Sequence, residues 1–182
     1  MEYIQLLSEA ELQLLRRVLG CRVPVLYTRA IEVQRRVVVA TNFSMHLGEN
    51  EYCVIESDWN DTPNEYLDYH SIHVELRDWP KRIARVRDDE GRIMLGEPST
   101  IHLPIPTPAI VSVAVHESRQ ALGSERVHYD HALVFTCVDG YRFSLAAHQS
   151  IRGGLEFSDD SRSIEELARK YRVRISLAER GA

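Results

Sequence analysis

Two pairs of histidines stand three residues apart, His70 with His73 and His128 with His131, and the second pair encloses Asp130. Imidazole nitrogens and a carboxylate are donors that zinc and non-haem iron accept. His128, Asp130 and His131 therefore form a candidate ligand set for a divalent metal ion. An ion held there would acidify a bound water and make the chain a metal-dependent hydrolase. The spacing brings two side chains to one face on a helix, whereas on a strand residues three apart point to opposite faces. Tyr69 to Leu76 has a β pattern, so His70 and His73 are expected to diverge. His128 and His131 converge only if they lie in a loop ahead of a strand that begins at Ala132.

Other chemistry leaves little trace. The sequence contains no HExxH, CxxC, GxSxG, Walker loop or GxGxxG, the spacings that set up metal, nucleophile and phosphate sites. Cys21, Cys53 and Cys137 are widely separated and read as small, buried thiols in a reducing compartment.

The less ordinary feature is charge segregation. No Lys or Arg occurs between Arg36 and Arg77, while that interval holds Glu49, Glu51, Glu56, Asp58, Asp61, Glu65, Asp68 and Glu75, with Trp59, Tyr66 and Tyr69 near its centre. Acids interleaved with aromatic rings suit a surface that steers a basic protein and then buries the rings at the contact. Glu56, Asp58, Trp59, Asp61, Glu65, Tyr66 and Asp68 are the expected contact residues. The following segment carries Arg77, Lys81, Arg82, Arg85, Arg87 and Arg92, which would cancel this field if it packed alongside.

The elements that must position these residues are mostly short strands. Asp139-Gly140 joins Ala132–Cys137 to Tyr141–Leu145 as a hairpin. Ser8 with Glu11, and Ser163 with Glu166, have the spacing of capping boxes and open a helix near each terminus. The first helix ends at Gly20, and the second faces the sheet through Ile164, Leu167, Ala168 and Tyr171. Tyr52–Ser57, Tyr69–Leu76, Ile110–Val115, Leu155–Phe157 and Arg172–Leu177 are further strands, and Ile83–Val86 with Arg92–Leu95 flank an acidic turn. From Ala30 to Phe43 the pattern fits one long bulged strand or two strands with a tight turn. Trp59 to Asn64 reads as a loop by composition. Such an order of elements gives an α+β fold, a curved antiparallel sheet or small barrel with a helix near each terminus. The 182 residues form one domain, with an internal boundary suggested by the proline-rich segment 98–108.

Composition narrows the partners. A net charge of −5 disfavours nucleic acid, whose affinity comes mainly from neutralised phosphates. No apolar run reaches membrane-spanning length, and acids stand where an export signal carries Lys or Arg, so neither membrane nor export is expected. The leading expectation is a non-enzymatic, cytoplasmic interaction or accessory module that binds a basic protein and needs no cofactor. The metal-dependent hydrolase and a small-ligand-binding protein with a pocket inside the curved sheet are the alternatives. Edge strands are compatible with a homodimer.

Overall fold

A computed structural model describes residues 2–33, 38–81, 85–87, 93–95, 99–148 and 154–178. The chain opens with β1 (Glu2–Gln5), α1 (Glu9–Arg17), β2 (Val25–Val33), β3 (Val38–Gly48), β4 (Glu51–Asp61) and β5 (Asp68–Arg77). It continues through β6 (Arg85–Arg87), β7 (Ile93–Leu95), β8 (Ser99–His102), β9 (Ile110–Leu122) and β10 (Glu125–Cys137). It then runs through β11 (Arg142–Ala147), β12 (Leu155–Ser158), α2 (Ser161–Lys170) and β13 (Arg172–Ala178). The architecture is dominated by sheet, mostly antiparallel and curled into a half-barrel, with these two helices among the described residues.

The main sheet runs in the order β13-β9-β10-β11-β12-β3-β2-β8. Its curl originates in two strands that change partners along their length. The first residues of β3 pair with β12 while Asn42 to Gly48 pair with β4, which in turn carries β5. Likewise Glu125 to Cys137 of β10 follow β9, but β10 gives its other edge first to β1, in parallel, and then to β11. A strand that serves two neighbours in succession forces the sheet to bend rather than stay flat. Cross-strand rings follow the bend: Phe135 stacks on its partner Phe143 with centroids 4.6 Å apart, Phe143 meets Phe157 at 6.0 Å, and Phe157 meets Phe43 at 6.1 Å. Helix α1 completes this core with Leu12, Leu14, Leu15 and Val18. Its N-terminus is the expected capping box: the Glu11 N–H donates to Ser8 Oγ at 3.3 Å, and the Ser8 N–H donates to the Glu11 carboxylate at 2.8 Å.

Several expectations shift. The segment from Ala30 to Phe43 divides between two paired strands, with residues 34–37 outside the described residues. Helix α2 is capped by Asp160, whose carboxylate accepts from the Ser163 N–H at 3.0 Å, so Ser163 lies inside the helix rather than at its start. Tyr171 has extended backbone and ends the helix. The β6–β7 hairpin forms as expected, with its acidic turn outside the described residues. In the proline-rich segment, β8 joins β2 and the Leu103 N–H donates to the Pro24 carbonyl at 3.0 Å. No described helix is long and apolar enough to cross a membrane.

Asp130 on β10 is fully buried and takes two donors from Arg174 on β13, Nε at 2.8 Å and Nη2, together with the Leu7 N–H at 2.8 Å. Asp130→Ala is expected to lower the unfolding free energy by about 3 kcal/mol, because it leaves a partly buried guanidinium and the Leu7 N–H without their acceptor. Arg162→Ala, which breaks the exposed Arg162–Glu166 pair on α2, should change stability by only about 0.5 kcal/mol or less. Urea unfolding of the two variants measures both values.

Candidate functional site

The acidic and aromatic residues gather on the β4–β5 ribbon. One end of this ribbon is anchored in the core through Cys53, Ile55, Ile72 and Val74. Toward the other end the cross-strand pairs become Trp59 with His70, Asn60 with Tyr69, and Asp61 with Asp68. Trp59 to Asp61 are thus strand residues, where composition had suggested a loop. Pairing with Asp68 to His70 outweighs the turn preference of Asn and Asp, as cross-strand contact commonly outweighs propensity in sheets. By the period of two, Trp59, Asp61, Asp68 and His70 share one face, and Asp58, opposite Ser71, points to the other.

Trp59 is 56% exposed and Tyr66, in the connecting loop, is 75% exposed. The indole is held in place by a 3.0 Å bond from its N–H to Asp68 Oδ1. Asp61 and Asp68 form a like-charge pair across the ribbon, an arrangement that destabilises an isolated sheet. A hydrogen bond with Asp68 raises the pKa of Asp61, and the bond from Trp59 lowers that of Asp68. None of Asp58, Asp61 and Asp68 has an ion pair with Lys or Arg among the described residues.

Two expected contact residues are already engaged. Glu56 receives Lys81 Nζ at 2.6 Å, so the basic segment neutralises the root of the ribbon but not its tip. The side chains of Arg82, Arg85, Arg87 and Arg92 lie outside what is described. The Glu65 carboxylate accepts from the Ser124 N–H at 3.0 Å and from the Ser124 hydroxyl. It lies so close over Gly123 that a Cβ there would meet Glu65 Oε2 at 1.8 Å. Gly123 also has φ +57, so its lack of a side chain is required twice over. Glu125 completes the latch, accepting from Asn64 Nδ2 at 2.7 Å and from the Glu65 N–H at 3.1 Å. Hydrogen bonding from Thr62, then from Asn64, Tyr3 and the Glu65 N–H, holds the Glu125 carboxyl at about 2. The loop that presents Tyr66 is therefore fastened to the β9–β10 turn.

His128, Asp130 and His131 all lie within β10, not in a loop, and each is engaged separately. His128 Nε2 meets Glu117 Oε2 at 2.8 Å, and Asp130 holds Arg174 and Leu7. His131 occupies a bulge between Asp130 and Ala132, and its ring packs 4.0 Å from that of Tyr171. Among the described residues no three His, Cys, Asp or Glu side chains are placed to hold a metal ion. His70 stands beside Trp59, and His73 turns to Glu11 at 2.8 Å, the divergence expected of a strand.

Sequence reasoning missed the neighbourhood of His131. A cleft of about 390 Å³ lies between α2 and the sheet, lined in part by His131, Ser144, His148, Glu156, Lys170 and Tyr171. His116 Nδ1 stands 3.0 Å from the Tyr171 carbonyl, which makes it the donor. The Nδ1 atoms of His70, His131 and His148 are buried and have no hydrogen-bond partner among the described residues. These residues come from β5, β9, β10 and the ends of β11 and α2, so no local spacing signals their approach.

His131 is 4% exposed, and burial, followed by Lys170, His116 and His70, pushes its pKa down to about 4. Burial also lowers that of His70. The unfolded chain binds the proton first, so stability is complete above an ordinary imidazole pKa and falls as pH drops from about 6.5 toward 4. The His131 contribution to this loss is about 3 kcal/mol. Chemical unfolding followed across that range should show the loss, and His131→Phe should flatten it, leaving the dependence from His70. Glu125→Ala should free the Tyr66 loop, read as faster amide exchange at Glu65 and Leu67 with strand amides unchanged. No family model, curated protein or solved structure matches the chain.

Proposed function

We propose that the chain is a non-enzymatic, cytoplasmic interaction module that binds a basic protein segment at the tip of the β4–β5 ribbon. One observation carries this reading: Trp59 stands exposed beside two facing carboxylates, Asp61 and Asp68, that no Lys or Arg among the described residues neutralises. A cation from a partner would relieve the repulsion between those carboxylates while lying against the indole face. The indole N–H bond to Asp68 fixes the ring before binding, which limits the ordering cost of association. Tyr66 supplies a second ring, and the latch through Glu65 and Glu125 keeps its loop in place. Asp58, on the other face, contributes to the long-range field and not to the contact. Glu56 belongs to an internal pair. The metal-hydrolase alternative has no comparable support, because Asp130 is occupied by Arg174.

Titration with an arginine-rich peptide, followed by calorimetry, tests the reading. Reversing Asp61 and Asp68 to Lys should abolish binding, whereas Asp58→Lys should weaken it modestly and mainly at low salt. Trp59→Ala is expected to cost about 2 kcal/mol of binding free energy. Cation binding favours ionised carboxylates, so affinity should rise with pH through the raised titration range of Asp61. Undiminished binding by the double reversal would refute the proposal.

A further inference from the structure

Away from the ribbon tip, the surface changes sign. A cleft of about 570 Å³ lies where the end of α2 meets β9 and β13, lined by Glu117, Ser118, Arg119, Gln120, Lys170, Tyr171 and Arg172. The register of β13 on β9 places Arg172 opposite Glu117, and Arg119, two residues along β9, falls on the same face. Lys170 reaches the site from the last turn of α2, with its ammonium 5.0 Å from the Tyr171 ring centroid. Three cations thus converge in a chain whose net charge is −5.

The cleft contains one carboxylate, and it is already used. Glu117 is 5% exposed and is held by His128 at 2.8 Å and by Arg119 at 3.4 Å. Arg172 has no ion pair within 4 Å among the described residues, and Lys170 pairs with the face of Tyr171 rather than with an acid. Glu117 offsets Arg119 and also interacts with Arg172, so three cations against one carboxylate leave the cleft with excess positive charge. The volume lies within the range of small-molecule sites. A second observation adjoins it: Lys170 and Tyr171 also wall the cleft that contains His131, a side chain 4% exposed whose Nδ1 has no hydrogen-bond partner among the described residues.

We propose that the cleft of Arg119, Lys170 and Arg172 binds a small organic oxyanion, its charged group on the two guanidiniums and the ammonium and its body along the cleft beside Tyr171. Guanidiniums offer paired N–H donors that match the oxygens of a phosphate or a carboxylate. This site is independent of the acidic ribbon, and neither reading requires the other.

Phenyl phosphate and benzoate share a body and differ in the charged group, so titrating each into the isotopically labelled chain separates the two sources of an oxyanion. At millimolar concentration, at least one should shift the backbone amides of residues 117–119 and 170–172, and the stronger ligand identifies the preferred group. Arg119→Gln and Arg172→Gln should each weaken that ligand about tenfold. Arg119 is well exposed and Glu117 keeps its shorter bond to His128 without it, so the Arg119 variant, checked by its unfolding midpoint, carries the test even if the other is destabilised. No shifts with either compound, equal shifts with sodium chloride at matched ionic strength, or unchanged affinity in Arg119→Gln would each overturn the proposal.

Discussion

A carboxylate with no exposure to water must find its hydrogen bonds inside the protein, and Asp130 finds them in two distant parts of the chain. It lies in the longest run of buried residues in the sheet, β10, and binds Arg174 of β13 and the backbone of Leu7 between β1 and α1. This arrangement fixes both ends of the described chain against its centre. It places α1 over the core and brings β13 onto β9. The same strand carries Glu125 at its beginning and the His131 bulge in its middle. The loop presenting Tyr66 and the cleft beside Tyr171 are therefore both referenced to one rigid element.

What was legible in the sequence was local. Ser8 and Glu11 complete each other across one turn, and Gly140, at φ +84, turns β10 into β11 as Asp139-Gly140 suggested. At α2 two cap signals overlap, Asp160 with Ser163 and Ser163 with Glu166. The first takes the N–H, and spacing alone does not rank them. The run from Trp59 to Asp61 has the composition of a turn and becomes strand because residues 68–70 lie opposite. His128 and His131 were readable as polar residues near a strand, but not their partners: Glu117 is eleven residues away and Tyr171 is forty. Where long-range pairing decides orientation, composition cannot supply it.

Charge is distributed in the same two-level way. The acidic interval of the sequence divides in space into a root, where Lys81 reaches Glu56 and Arg77 reaches Glu75, and a tip where Asp61 and Asp68 face each other beside Trp59. Cations accumulate instead around Tyr171. A net charge of −5 thus averages over two regions of opposite sign, and an average of that kind describes solubility better than recognition.

The pairing of β1 with β10 joins Glu2 to Arg126 in parallel, a loop closure over about two thirds of the 182-residue chain. Synthesis proceeds from the N-terminus, so β1 leaves the ribosome long before its partner exists. Closing so large a loop is entropically slow. Until β10 arrives, the edge of β1 has only solvent or other chains to meet, a period in which nascent copies are open to association. Asp130 ends that period, since the residue that receives Leu7 is made on the very strand that β1 awaits.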